Sequence, residues 1–158
     1  MPSLYGAVKS KTGELLQDSM EYCKGALQSV SRSFALTIPL VEENILGPIM
    51  VGYLEARILD TFEDDIGKRE ISLEERIEAM NMLMDILENP NAESTKEKIE
   101  TLTGSADEMV QNPKYRDLVK NMKSVLAVHS SFDEDTKECM VRSVSYTHLR
   151  AHETFAKL

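Results

Sequence analysis

Apolar residues recur at helical spacing through nearly the whole of this 158-residue chain. Glycine and proline are scarce, at seven and five residues, and runs of β-branched residues are short. Apolar side chains three and four positions apart lie on one face of a helix, whereas a half-buried strand needs strict alternation. The sequence therefore predicts an all-α protein, and its length suits a single domain.

Three helical segments are predicted in the first half of the chain. The first covers about 13–30, and a short second segment, 34–38, ends at Pro39. The third covers about 42–65 and is the most apolar part of the sequence. Gly67 is expected to end it, because glycine readily adopts the backbone conformation found just beyond helix C-termini.

The helix signals in the second half of the chain are less regular. The S-x-x-E pattern of residues 72–75 has the form of a capping box and predicts a helix to about Leu87. Residues 91–112 are polar and weakly patterned, which predicts a frayed helix or a loop. Two further helices are predicted, one opening at Pro113 and one after the acidic run 133–135.

The net charge of −9 limits the classes of partner. A chain this acidic repels phosphate backbones, so nucleic acid is not expected as a partner. A phosphate-bearing ligand would need local positive charge, which a divalent metal held by carboxylates could supply.

The two cysteines, Cys23 and Cys139, form neither a CxxC motif nor a disulfide framework, which favours the cytoplasm. No stretch approaches the ~20 apolar residues needed to span a bilayer. Peripheral membrane contact stays open.

Four side chains of the long apolar helix are polar and share one face. Tyr53, Arg57, Asp60 and Asp64 are spaced by four, three and four residues, and Glu63 flanks the end of this row. Two carboxylates four residues apart can bridge to Mg²⁺, which prefers hard oxygen ligands. The competing interpretation is an intrahelical ion pair of Arg57 with Asp60 or Asp64 at a solvated helix end.

Residues 31–33 place two hydroxyls and a guanidinium at a predicted helix junction. Hydroxyl groups, backbone N–H groups and arginine suit a phosphate at such a place. Alternatively, Ser33 is an ordinary helix cap and Arg32 a surface charge.

Together these segments resemble the squalene/phytoene synthase family. Residues 31–35, SRSFA, resemble the SRSF motif near the start of such enzymes. Residues 53–65, YLEARILDTFEDD, resemble the YLxxRxLDTxEDD segment with the family's first aspartate-rich motif. The form is closer to squalene synthases than to the phytoene branch, and the match covers about 23–65.

The resemblance implies an isoprenoid synthase fold, of which this chain would form part. It implies head-to-head condensation of two farnesyl diphosphates through presqualene diphosphate, which squalene synthases reduce with NADPH. By motif position, the implied roles are Mg²⁺ ligation by Asp60 and Asp64, with Glu63 as a further candidate, diphosphate binding by Ser31, Arg32, Ser33 and Arg57, and catalysis by Tyr53 and Arg57.

The family's second aspartate-rich motif has no counterpart in this sequence. Asn81 and Asp85 have a suitable spacing but share their face with glutamates, which indicates a solvated surface. We therefore expect an N-terminal fragment of a longer enzyme that is inactive alone. Product assignment stays open, with phytoene or dehydrosqualene synthase as alternatives. A non-catalytic acidic helical module binding a partner through methionine-rich faces is the alternative of another class.

The C-terminal tail is expected to be non-native. Residues 144–154, VSYTHLRAHET, resemble a peptide produced by translation of sequencing-adapter DNA. We therefore place the family-like domain at 1–143 and the tail at 144–158, and we set aside the metal-like HxxxHE pattern that begins at His148. His129 is predicted to face solvent near a helix end.

Overall fold

The computed structural model describes residues 11–64 and 71–156. The regular elements within these two ranges are helices: α1 (Lys11–Val30), α2 (Arg32–Thr37), a 3₁₀ turn (Ile38–Leu40), α3 (Glu43–Asp64), α4 (Leu73–Glu88), α5 (Thr95–Met109), α6 (Pro113–Lys120), α7 (Met122–Ser130) and α8 (Glu134–Ala156). The predicted all-α class is confirmed. Gly67, expected to end α3, lies outside the described residues.

Local capping explains several helix boundaries. The Ser72 hydroxyl accepts a hydrogen bond from the Glu75 backbone N–H, and the Glu75 carboxylate accepts one from the Ser72 N–H. This reciprocal pair is the predicted capping box, and it satisfies donors that α4 itself cannot. The Asn112 side chain caps α6 by accepting a hydrogen bond from the Lys114 backbone N–H, with Pro113 in the first turn.

The expectation of a frayed helix or loop over 91–112 is wrong, because α5 occupies most of that segment. Its narrow apolar stripe is buried at Leu102, Ala106 and Met109. The Thr95 hydroxyl also donates a hydrogen bond to the Asn89 carbonyl, which fixes the start of the helix. Packing against α4 and α6 stabilises α5 although its sequence pattern is weak.

Helix α3 lies at the centre of the bundle, in contact with α1, α4, α6, α7 and α8. Its largest apolar side chains are almost completely buried: Leu54, Ile58, Leu59 and Phe62. Most of the bundle therefore packs directly on α3. The orientation of α3 determines where the polar side chains of α3 lie.

Helix α8 continues without a break across the predicted domain boundary between Ser143 and Val144. Val144 is buried in the core, whereas Tyr146 is exposed. The boundary itself remains a prediction. The side chains of residues 151–158, with the second half of the HxxxHE pattern, lie outside the described part. Among the helices described, none has the length and hydropathy needed to cross a membrane.

Candidate functional site

One face of α3 carries the row of polar side chains that the spacing predicted, and we call it the front face. It consists of Tyr53, Arg57, Asp60 and Asp64. The first three side chains are partly buried, and Asp64 is exposed at the end of the helix. Aromatic, cationic and anionic groups therefore follow one another along one side of a largely buried helix.

The Ser-Arg-Ser-Phe segment lies against the front face. The rings of Phe34 and Tyr53 stack with their centroids 4.3 Å apart and an interplanar angle of 15°. Ser31 is the N-cap of α2, and its hydroxyl accepts a hydrogen bond from the Phe34 N–H. The cap in this segment is therefore Ser31 and not Ser33. Arg32 and Ser33 are exposed.

Arg57 is held by an aromatic ring. Its guanidinium carbon lies 4.4 Å from the centroid of the Tyr115 ring on α6, a distance typical of a cation–π interaction. The Nε atom is buried and has no hydrogen-bond partner within the described part of the chain. No ion pair within 4.0 Å joins Arg57 to Asp60 or Asp64 among the described side chains. The intrahelical ion pair considered above is therefore not formed.

Asp60 and Glu63, near the end of α3, lie in an environment that disfavours a negative charge on their carboxyl groups. Burial raises the pKa of Asp60, Arg57 lowers it in part, and the charge of Asp64 raises it further. Burial, Asp64 and Asp60 together raise the pKa of Glu63. The last turn of α3 contains no basic residue, and a helix C-terminus is itself a partial negative charge. A cation placed here would relieve the mutual repulsion of the carboxylates.

The end of α3 is tied to the next helix. The Arg76 side chain on α4 donates a hydrogen bond from Nη1 to the Glu63 carbonyl, at 3.2 Å. This hydrogen bond ties the last described turn of α3 to α4. The carboxylates therefore project from a fixed helix end.

The side chains at this helix end fit a hard divalent cation. Asp60 and Asp64 offer oxygen ligands from one face, and Mg²⁺ is usually bound by one or two carboxylates together with waters and phosphate oxygens. Within residues 11–64 and 71–156, no group of three histidine, cysteine or acidic side chains is arranged to hold a metal ion. The donor set is thus a pair with Glu63 beside it, on one side of the site.

Two residues of structural importance differ from the sequence-based predictions. Tyr115 was not predicted to touch the front face, although Pro113 correctly marked the start of its helix. His129 is not solvent-facing as predicted: it is 3% exposed, and its Nδ1 lies 2.5 Å from Oε1 of Glu55. The helix end on which His129 lies is covered by its neighbours, and no local sequence signal indicates that.

Comparison with known proteins identifies relatives among squalene synthases and related synthases. The chain is 30% identical to rat squalene synthase over 112 residues, which is 71% of this chain and 26% of that enzyme. It is 33% identical to lycopaoctaene synthase of Botryococcus braunii over 135 residues, or 85% of this chain and 26% of that protein. The Botryococcus squalene synthase is 47% identical over 47 residues, 30% of this chain.

These relatives point to the squalene/phytoene synthase family, and the all-α structure is consistent with an isoprenoid synthase fold. The chain spans about a quarter of the length of the rat squalene synthase and the lycopaoctaene synthase. No family model matches the sequence, and no solved structure matches it.

Proposed function

We propose that the chain is the N-terminal part of a Mg²⁺-dependent prenyltransferase of the squalene/phytoene synthase family. The reaction is the head-to-head condensation of two farnesyl diphosphates through presqualene diphosphate to squalene, with NADPH as the reductant. One observation carries the proposal. The Phe34–Tyr53 stack brings the serine–arginine segment beside the helix that presents Asp60 and Asp64.

Each side chain has a role that follows from its chemistry. Asp60 and Asp64 would hold Mg²⁺, with Glu63 beside the pair, and bound Mg²⁺ would neutralise part of the diphosphate charge as that group departs. Tyr53 lies beside the reacting carbons, and Arg57 assists catalysis and binds diphosphate. Three residues at the start of α2 complete the diphosphate site: Ser31, Arg32 and Ser33.

The cation–π contact supports the role of Arg57. A guanidinium over a ring keeps its charge and most of its N–H donors, whereas one paired with a carboxylate has its charge neutralised. The Nε that has no partner within the described part of the chain is one such donor. Arg57 can therefore bind an incoming diphosphate without first breaking an ion pair.

Binding of Mg²⁺ and inorganic pyrophosphate to the 158-residue chain tests the site. Isothermal titration calorimetry should show pyrophosphate binding that requires Mg²⁺. Asp60→Asn and Asp64→Asn should each weaken it at least about tenfold, since tenfold corresponds to about 1.4 kcal/mol and each change removes a ligand charge. Asp18→Asn, on the exposed face of α1, is the matched control and should leave the affinity unchanged.

Equal affinity of all four proteins would refute the metal site and favour the non-catalytic helical module. Incubation with farnesyl diphosphate, Mg²⁺ and NADPH tests the second part of the proposal. The 158 residues alone should give no presqualene diphosphate or squalene, because the facing carboxylate helix is missing from the sequence. Turnover by this chain would overturn that expectation. Turnover of the C20 diphosphate by a longer form would instead indicate a phytoene synthase.

We also propose a cytoplasmic protein with peripheral membrane contact for release of an apolar product. Cys23 and Cys139 are free thiols, which supports a reducing compartment. Leu36 and Leu40 are 77% and 85% exposed and follow the serine–arginine segment, which supports a lipid-facing edge. Co-sedimentation with phosphatidylcholine vesicles that is lost in Leu36→Ser/Leu40→Ser would support this contact, and unchanged co-sedimentation would refute it.

A further inference from the structure

A buried polar pair lies on the side of α3 away from the front face. Glu55 is 1% exposed, and its Oε1 lies 2.5 Å from Nδ1 of His129 on α7. Oε2 of Glu55 is buried and has no hydrogen-bond partner within the described residues. The two residues are 74 positions apart in sequence and are brought together by the packing of α7 on α3.

Burying this polar pair costs free energy that apolar side chains would not cost. Burial raises the pKa of Glu55, and His129 offsets only part of that effect. Replacing a buried ion pair by apolar side chains of similar volume is often neutral or stabilising, so such a pair is weak evidence for stability. The remaining buried side chains of α3 are apolar apart from Thr61, whose hydroxyl bonds within the helix itself.

Cores specified only by apolar character and volume lose a unique arrangement before they lose stability, so apolar packing fixes the rotation of a helix less sharply than a directional bond does. A buried hydrogen-bonded pair keeps its geometry in only one rotation of the helix. Nine residues separate Glu55 from Asp64, which is about two and a half turns at 3.6 residues per turn, so the two side chains point to opposite sides of α3. Whatever fixes Glu55 on one side therefore fixes the direction of the carboxylates on the other.

We propose that Glu55 and His129 are positioning residues that fix the rotation of α3 about its axis, so that Asp60 and Asp64 face the diphosphate site. A rotation by one residue, about 100°, would turn the front face away from Phe34 and Tyr115. The claim about rotation stands on the packing alone. Its consequence for ligand binding rests on the proposed function.

His129 is the hydrogen-bond partner of Glu55, and the other neighbours of the pair are a thiol and a cavity. Burial and the nearby Glu55 charge raise the pKa of Cys23 on α1 to about 12, so its thiol stays neutral. On the other side His129 borders an open cavity of about 630 Å³ between the end of α4 and α8. Charged side chains also line this cavity: Glu88, Glu134, Lys137, Glu138 and Arg142.

A set of variants separates positioning from simple packing. Glu55→Gln keeps the size and a hydrogen-bond acceptor for His129, whereas Glu55→Leu/His129→Leu replaces the pair by apolar groups. Ile58→Val is the matched control, since it weakens packing on the buried side of the same helix without touching the pair. Nuclear Overhauser contacts between the Phe34 and Tyr53 rings report the rotation of α3, and calorimetry with Mg²⁺ and pyrophosphate reports its consequence.

Glu55→Gln and Ile58→Val should keep the ring contacts and bind pyrophosphate within about twofold of the unchanged chain. The double leucine variant should fold, lose the ring contacts and bind at least tenfold more weakly. A double leucine variant that keeps both would overturn the proposal. If the unchanged chain does not bind pyrophosphate, the proposed function is refuted. If the double leucine variant still loses the ring contacts in that case, the positioning role remains supported.

His129→Ala provides a second route if the double variant does not fold. It opens a space next to the cavity, so added imidazole can reach Glu55. Recovery of the Phe34–Tyr53 contacts with imidazole, and not with the same concentration of an apolar five-membered ring, would support the hydrogen bond as the cause. Contacts that persist in His129→Ala without imidazole would overturn the proposal.

Discussion

The two sides of α3 have opposite effects on the stability of the protein. The buried side, which we call the back face, carries Leu54, Ile58 and Phe62, each at most 1% exposed. The front face carries Asp60, whose pKa is raised, and an arginine whose buried Nε has no hydrogen-bond partner among the described residues. One helix therefore combines the side chains that stabilise the fold with side chains that reduce its stability. Groups that reduce stability are expected where binding or catalysis needs them.

The back face should give the largest effect. Phe62→Ala removes a completely buried ring from the centre of the bundle and is expected to lower the free energy of unfolding by about 3–5 kcal/mol. Urea unfolding followed by circular dichroism measures it. Leu73→Ala on α4, where the side chain is 44% exposed, is the control and should cost much less. Equal losses would mean that α3 is not the centre of the core.

The contact between Arg57 and Tyr115 should give a smaller effect. Tyr115→Leu removes the ring beneath the guanidinium and should cost about 0.5–2 kcal/mol, the range for exposed to desolvated cation–π contacts. Tyr115→Phe keeps a ring and should cost less. A double-mutant cycle with Arg57→Met isolates the pair energy. An energy of zero would show that the ring serves only as packing.

Neutralising Asp60 should stabilise the protein. At pH 7 Asp60→Asn removes a charge that burial, Asp64 and the negative end of α3 disfavour, for a gain of about 0.3–1 kcal/mol. The folded-state pKa of Asp60 lies above its ordinary value of 3.8, so the cost is fully present above the folded pKa and vanishes below the unfolded one. The stability gain from Asp60→Asn should therefore shrink as the pH falls below the folded-state pKa of Asp60. Thermal unfolding at pH 7 and pH 3 measures it, and an advantage that grows on acidification would contradict the assignment.

The acids of α4 should give the smallest effect, with the opposite sign. Glu74 lies in the first turn of α4, where the positive end of the helix favours a carboxylate. Glu74→Gln should therefore lower the melting temperature slightly at pH 7, whereas Asp60→Asn raises it. The same sign for both would mean that position along the helix does not distinguish the two groups of acids.

Features that depend on local sequence were predicted well. The capping box at Ser72 and Glu75 is a local sequence motif, and the start of α3 and the spacing of its polar row follow from helical periodicity, so a short window of sequence contains all three. The burial of α5 was missed because its stripe becomes significant only against α4 and α6. His129 was misassigned because its partner Glu55 is 74 residues away, and a single histidine near a helix end carries no signal of burial. Tyr115 was missed for the same reason.

The Phe34–Tyr53 stack has a consequence for the order in which the protein folds. Its two rings are nineteen residues apart, so closing the loop between them costs little chain entropy compared with joining Glu55 to His129. Contacts between near neighbours form early, and domains begin to fold from the N-terminus during synthesis. We expect the two rings to meet only transiently on the ribosome before α7 has emerged, because the pair that fixes the rotation of α3 is still incomplete. The rotation of α3 would then be set last, when the distant histidine arrives.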